Sequence, residues 1–223
     1  MKKHFQKWIA MALIAFISIG FAGCGTKKTD EAQTKVCFIY TDGLLDDLCA
    51  IEYLSGKYDS AVILPQNPEG LEGNDYGSKT VTDKNALIGA ASKWFKNVSE
   101  YSASTEISAA DLYLLGPLTE FAELLKDKPS LRSNRTLLMA GAFDGPDGAG
   151  EEWNAAADEE AYRYVIENMT ALTQMTAPEC EAEFSANGYP YQAEFLDEYK
   201  TQMESLNENV CCYDLQAVAF MFK

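Results

Sequence analysis

Apolar positions along this chain follow two alternating patterns. Short unbroken apolar runs are separated by stretches in which apolar residues recur every three or four positions. Val36-Cys37-Phe38-Ile39-Tyr40 is continuous, with no polar alternation, and predicts a strand buried on both faces. The spacing of Leu48, Ile51 and Leu54 predicts a helix over 46–54. Ala61-Val62-Ile63-Leu64 predicts a second strand, and 85–95, with Ala86, Ile88 and Trp94 apolar, a second helix. Further strands are expected at 112–115, 135–140 and 171–176. Helices are expected at 119–126, at 158–168 with Ala161, Tyr164 and Val165 on one face, at 191–206 and at 213–222.

Between them, 65–82 and 141–150 are rich in Gly, Asn and Asp and read as long loops. There is no internal repeat. Strands alternating with helices, without hairpin signals, predict an α/β domain: a mostly parallel sheet flanked by helices, Rossmann-like in outline. Ligands of such sheets bind beyond the carboxyl ends of the strands. The loops after Tyr40, Leu64, Leu115 and Ala140 are therefore where chemistry is expected.

The first residues change the picture of where that domain sits. Lys2, Lys3 and Lys7 precede an apolar run from Trp8 to Ile19, and Phe21-Ala22-Gly23-Cys24 follows at once. A charged start, a run too short to span a bilayer and small residues before the cut read as a signal peptide over 1–23. A cysteine at the cut resembles a bacterial lipobox and implies a lipid on Cys24, although an ordinary signal peptide with an incidental cysteine has the same outline. The polar stretch 24–35 is then a tether and 36–223 the domain, anchored on the exported side of the envelope and touching the membrane only through Cys24.

The whole chain has 223 residues, 47% hydrophobic, enough for one globular domain. It carries 18 basic and 34 acidic side chains, a formal charge of -16. That sign excludes a nucleic-acid binder as the default, because phosphate would be repelled. Removal of 1–23 takes three lysines and no acid, leaving 15 - 34 = -19, and also removes His4, the chain's one histidine. After Cys24 there are five cysteines, 37, 49, 180, 211 and 212, an odd number even where export permits disulfides. Cys37 and Cys49 lie in apolar runs and read as small buried hydrophobes. No pair has the repeated spacing of a zinc site.

The densest chemistry lies at the end of the first strand, where Asp42, Asp46 and Asp47 bracket Gly43-Leu44-Leu45. Asp42-Gly43 suits a turn, and Asp46 or Asp47 suits the positive start of a helix. Three carboxylates so close also suit a hard cation, provided distant oxygens complete its shell. A haloacid-dehalogenase phosphatase would need an aspartate nucleophile where Tyr40 stands. The segment instead resembles the opening Asp-x-Asp-Pro-Gly-x-Asp-Asp motif of the inosine–uridine-preferring nucleoside hydrolases, with Asp42, Asp46 and Asp47 matching its last three aspartates. Later segments resemble that family in order: Leu115-Gly116-Pro117-Leu118-Thr119, Leu138-Met139-Ala140-Gly141-Ala142, Glu152-Trp153-Asn154 with Asp158-Glu159-Glu160-Ala161, and Tyr213-Asp214-Leu215-Gln216-Ala217-Val218-Ala219. Asn74 and Asn85 loosely resemble the asparagines that the family carries after its second strand.

The resemblance implies a nucleoside-hydrolase-like fold, a Ca²⁺ ion held by Asp42, Asp47, Asp214 and an oxygen of Thr119, and Asp42 as the base that takes a proton from water. It implies ribose binding by Asp46, Asn74, Met139, Glu152 and Asn154. Tyr213 stands where purine-active members carry a histidine that protonates the leaving base, Tyr40 replaces the first aspartate, and Gly43-Leu44 replaces Pro-Gly. The family's chains also continue beyond the last metal segment through further helices that wall the pocket, whereas this sequence stops at Lys223. The implied reaction is Ca²⁺-dependent hydrolysis of the N-glycosidic bond of a ribonucleoside or related N-ribosyl compound. A non-catalytic nucleoside- or sugar-binding lipoprotein on the same fold is the alternative, and a homo-oligomer stays open.

Overall fold

The computed structural model of the protein describes residues 35–66 and 82–223. The expected leader, Cys24, nearly all of the tether and Asn74 lie outside the described residues. No helix among the described residues is long and apolar enough to cross a membrane.

Six strands form one sheet: β1 (Val36–Thr41), β2 (Ser60–Pro65), β3 (Asn97–Glu100), β4 (Asp111–Leu114), β5 (Thr136–Met139) and β6 (Leu172–Met175). Every pair is parallel and the spatial order is β3-β2-β1-β4-β5-β6. The α-helices among the described residues are α1 (Leu45–Ser55), α2 (Lys84–Trp94), α3 (Thr119–Asp127), α4 (Trp153–Ala156), α5 (Glu159–Asn168), α6 (Ala177–Asn187), α7 (Leu196–Leu206) and α8 (Tyr213–Phe220). This is the α/β Rossmann-like arrangement that the alternating pattern predicts.

The two faces of the sheet bury two cores, and β1 shows how. Its Cys37 and Ile39 join one core with α1, α2, α7 and α8, while Phe38 and Tyr40 join the other with α3 and α5. A strand that buries both faces has no solvent side, which is why it reads as an unbroken apolar run. Each fully buried aliphatic or Phe side chain there contributes roughly 1.5–3 kcal/mol of transfer free energy. Between β3 and β4 the chain passes from one side of β1 to the other without a helix. Asn134 secures that crossing, its buried Nδ2 donating to the carbonyls of Ile107 (3.1 Å) and Ala110 (2.8 Å).

The strand order reverses between β1 and β4, so their carboxyl ends diverge there and open a crevice. Two glycines fit the backbone to that point. Gly43 turns the chain after β1 at φ +79°, a left-handed conformation. A Cβ on Gly116 would lie 3.0 Å from the Asp42 amide nitrogen, so the turn after β4 can approach the turn after β1 only without a side chain.

Several expectations are corrected. β3 is a strand where none was predicted: Asn97-Val98-Ser99-Glu100 is a mostly exposed edge with one apolar residue, too little to make a run. α6 is likewise a helix that the sequence analysis does not predict. Pro178 sits in the first turn, where its missing N–H costs nothing, and Glu179 accepts from the Thr176 amide at 2.8 Å in a capping box. The helix expected from 191 begins at Leu196. On α2 the buried residues are Leu87, Ala90 and Ala91; Ala86 is exposed and Ile88 and Trp94 are half-buried. On α5 Tyr162, not Tyr164, joins Ala161 and Val165 in the core. All five described cysteines are buried and free, as Cys37 and Cys49 were expected to be.

Candidate functional site

The turn after β1 is built by its own polar atoms. The Thr41 hydroxyl accepts from the Gly43 amide (3.1 Å) and donates to Asp47 Oδ1. Asp47 Oδ2 accepts from the Leu44 amide (3.2 Å) at the N-cap of α1. The helix-cap role expected of these aspartates is therefore real for Asp47, and it fixes the carboxyl at the head of α1. From the other direction comes α8, which packs against α1 and β5 and is buried on almost every side, so Asp214 in its first turn cannot reach solvent.

Between them lies a cavity of about 390 Å³ at the switch point of the sheet. Asp42, Asp46 and Asp47 line it from the β1–α1 turn and Met139 from the end of β5. Glu152 and Asn154 line it from α4 and its cap, and Tyr213 and Asp214 from α8. All eight of these residues were singled out from the sequence, and chain positions more than 170 apart meet here. Carboxylate oxygens of Asp46, Asp47 and Asp214 lie within 4.8 Å of one another, a group able to hold a metal ion.

Burial and mutual repulsion dominate the electrostatics. Asp47 is 1% exposed, Asp214 3% and Asp42 5%. Burial first, then the Asp42, Asp214 and Asp46 carboxyls, pushes Asp47 well above the usual carboxylate range. Burial, then Asp46 and Asp42, does the same to Asp214. The Asp42, Asp47 and Asp214 carboxyls crowd one another, an arrangement that favours a retained proton or a cation. No Lys, Arg or His among the described residues lines the cavity to offset the charge. Asp214 Oδ1 is buried without a hydrogen-bond partner among the described residues.

Three placements bear on the expected roles. Asp46, expected on the sugar, belongs to the closest carboxylate group, and Asp42, expected in the ion's shell, stands beside it against Asp47. Glu152 caps α4, its two oxygens accepting from the amides of Gly141 (2.6 Å), Asn154 (2.9 Å) and Ala155 (3.0 Å). Burial raises its carboxyl and those three amides pull it back, so its work is to shape the wall as well as to face the cavity. Asn154 Nδ2 donates to the Met139 carbonyl (3.0 Å) and ties that wall to β5. Thr119 is the third. It does not line the cavity: its hydroxyl donates to Asp158 Oδ2 (2.7 Å), joining the start of α3 to the cap of α5, in a separate groove.

No family model matches the chain, and neither the curated proteins nor the solved structures gave a match. The site therefore stands on its own geometry.

That geometry contains residues the sequence did not single out. Glu181 on α6 accepts a 2.7 Å hydrogen bond from the Tyr213 hydroxyl and lines the cavity, as do Trp153 and Glu208. The Thr-x-x-Glu signature at 176–179 would have revealed α6 and hence Glu181. Tyr40, where the resemblance implies an aspartate, is fully buried and its hydroxyl donates to the Pro117 carbonyl (2.6 Å), bracing the Gly116-Pro117 turn.

The placement of Thr119 has a direct check. Asp158→Ala removes the cap on the Ala161 amide and the acceptor for Thr119, and it should cost about 1–2 kcal/mol in denaturant unfolding. Thr119→Val should cost about 1 kcal/mol. Neither substitution should change the shift in melting temperature measured on adding a divalent cation such as Ca²⁺; a shift lost in Thr119→Val alone would place that residue at the cation.

Proposed function

We propose that the chain is a Ca²⁺-dependent N-ribosyl hydrolase of the nucleoside-hydrolase type. One observation carries this reading: carboxylates from the first strand–helix turn and from the last helix converge within 4.8 Å at a cavity also lined by Met139, Glu152, Asn154 and Tyr213. The donor set fits a hard cation. It offers only oxygen, it has surplus negative charge, and Asp214 Oδ1 lacks a partner. Asp46, Asp47 and Asp214 would hold the ion. When bound, it supplies positive charge that makes water more acidic and a template for vicinal hydroxyls.

The chain's own groups carry the remaining steps. Asp42, set beside Asp47 at the cavity wall, takes the proton of the attacking water. The water oxygen bonds to the anomeric carbon as the carbon–nitrogen bond breaks, and the ring passes through an oxocarbenium-like state. The surrounding carboxylates stabilise that cationic ring, and Met139 and Trp153 give the sugar an apolar wall. On the same reading the domain is held on the exported side of the envelope by a lipid on Cys24, supported by Phe21-Ala22-Gly23-Cys24 after the apolar run.

The test is release of free base from a panel of nucleosides by the full chain, followed chromatographically in Ca²⁺ and then in chelator. Turnover that stops on chelation is expected. Ca²⁺-dependent binding with no base released would leave a nucleoside-binding surface protein in place of an enzyme.

A further inference from the structure

We propose that the ligand of this cavity is a cationic N-riboside, one whose nitrogen heterocycle bears a positive charge at the glycosidic nitrogen, such as a ribosyl pyridinium. The inference rests on the N-ribosyl reading above and names its substrate class.

Three features point this way. The first is charge. Beyond the carboxylate group, Glu151, Glu181 and Glu208 also line the cavity, and no basic residue among the described residues does. Asp214 Oδ1, in a side chain 3% exposed and without a hydrogen-bond partner among the described residues, is taken up by the ion on the reading above, which leaves the three glutamates to face the ligand. A wall with this excess of acid attracts a cationic ligand and repels an anionic one. The second is the wall. Trp153 and Tyr213 both line the cavity, and aromatic faces attract a flat cation that a hydrated inorganic ion would not satisfy.

The third is the missing proton. A neutral nucleoside expels its base as an anion unless an acid protonates it. The one histidine of the chain is His4, in the leader stretch, and the Tyr213 hydroxyl already donates to Glu181 at 2.7 Å. A cationic riboside needs no such donor. As the C1′–N bond breaks, its electron pair returns to the nitrogen and cancels the charge, so the heterocycle departs neutral. The water oxygen bonds to C1′, its proton passes to Asp42 and then to solvent, and the products are ribose, neutral heterocycle and one proton. Atoms and charge balance with no co-reactant.

The experiment compares N-ribosylnicotinamide, a pyridinium cation, with its 1,4-dihydro counterpart, which has the same sugar and nearly the same outline but no charge. Binding to the full chain in Ca²⁺ is measured by calorimetry and base release by chromatography, with uridine and inosine alongside. The cation should bind about tenfold more tightly than the dihydro compound or better, and should be hydrolysed faster than uridine or inosine. Glu181→Gln keeps an acceptor for Tyr213 and removes charge from the cavity wall, so it should shrink the ratio of cation to dihydro affinity by about threefold or more. Equal binding of the two compounds, or faster hydrolysis of neutral nucleosides, overturns the substrate class and leaves N-ribosyl hydrolysis standing. Cation-selective binding without turnover supports the ligand class and removes only the hydrolysis. If no riboside binds or reacts in Ca²⁺, both readings fall together.

Discussion

Asp214→Asn should make the chain more heat-stable in chelator and at the same time abolish the stabilisation that Ca²⁺ gives the wild type. The two effects have one cause. Asp47 and Asp214 are pushed well above the ordinary carboxylate range by burial and by one another's neighbours. An unfolded chain releases those protons near pH 4, whereas the ion-free folded chain keeps them. Groups of this kind contribute stability that is complete below the unfolded pKa and is lost as pH rises through the folded value. The wild type in chelator should therefore melt at progressively lower temperature as pH is raised from about 4 towards neutrality. Asparagine at 214 keeps the size but removes one charge, so this slope should flatten. Ca²⁺ displaces the protons instead of requiring them, and it should bind more tightly as pH rises. At a hundredfold excess over its Kd it adds about 2.7 kcal/mol, roughly 5–10 °C for a domain of this size. Scanning calorimetry of both proteins, with and without Ca²⁺, reads every one of these shifts. A mutant that still gains several degrees from Ca²⁺ would mean that the ion sits elsewhere.

The parts of the fold and site that are legible in the sequence share a physical property: their local pattern and their tertiary role agree. Val36–Tyr40 is apolar throughout because the strand is central and both faces are covered. Asp42, Asp47 and Asp214 can be singled out because carboxylates are costly to bury, and each sits where a strand ends or a helix begins. The elements that are not legible are equally instructive. β3 pairs only with β2 at an exposed edge, where polar residues are as good as apolar ones. Thr119 suits the ion on the strength of its turn alone, yet its hydroxyl is satisfied across 39 residues by Asp158, a contact no local pattern encodes. The nearness of Asp46 rather than Asp42 to the Asp47–Asp214 group has the same origin. Both lie in one turn, and which carboxyl meets Asp214 is decided by how α8 docks on α1.

That docking also explains why a cap and a metal ligand need not be rival readings. Asp47 accepts from the Leu44 amide as any first-turn aspartate would, which holds the head of α1 in register. The same bond orients its carboxyl towards Asp214, whose helix is anchored in the core through Leu215, Ala217 and Val218. The cap rigidifies one half of the cradle and apolar burial the other. A site on such supports is preorganised, and it can keep like charges together without rearranging when a cation arrives.

Asp42 provides the second large test, because its two expected roles give different results. As the group that takes the proton from water, its replacement by asparagine should lower the rate of base release by about 10²–10⁴-fold. The carboxyl lies outside the closest three-carboxylate group, and asparagine can still accept from the Leu44 amide, which reaches Asp42 Oδ1 at 3.4 Å. The Ca²⁺ affinity and the Ca²⁺-dependent rise in melting temperature should therefore stay within about threefold and a few degrees of wild type. Asp46→Asn is the paired control: it sits in the closest group, so it should weaken Ca²⁺ binding first and activity only as a consequence, recovering in part at higher Ca²⁺. If Asp42→Asn instead loses the ion and regains turnover when Ca²⁺ is raised, Asp42 is a ligand after all and the proton must go elsewhere. A rate that falls and cannot be restored by any Ca²⁺ concentration, in a protein that still binds Ca²⁺, is the signature of a base acting on water.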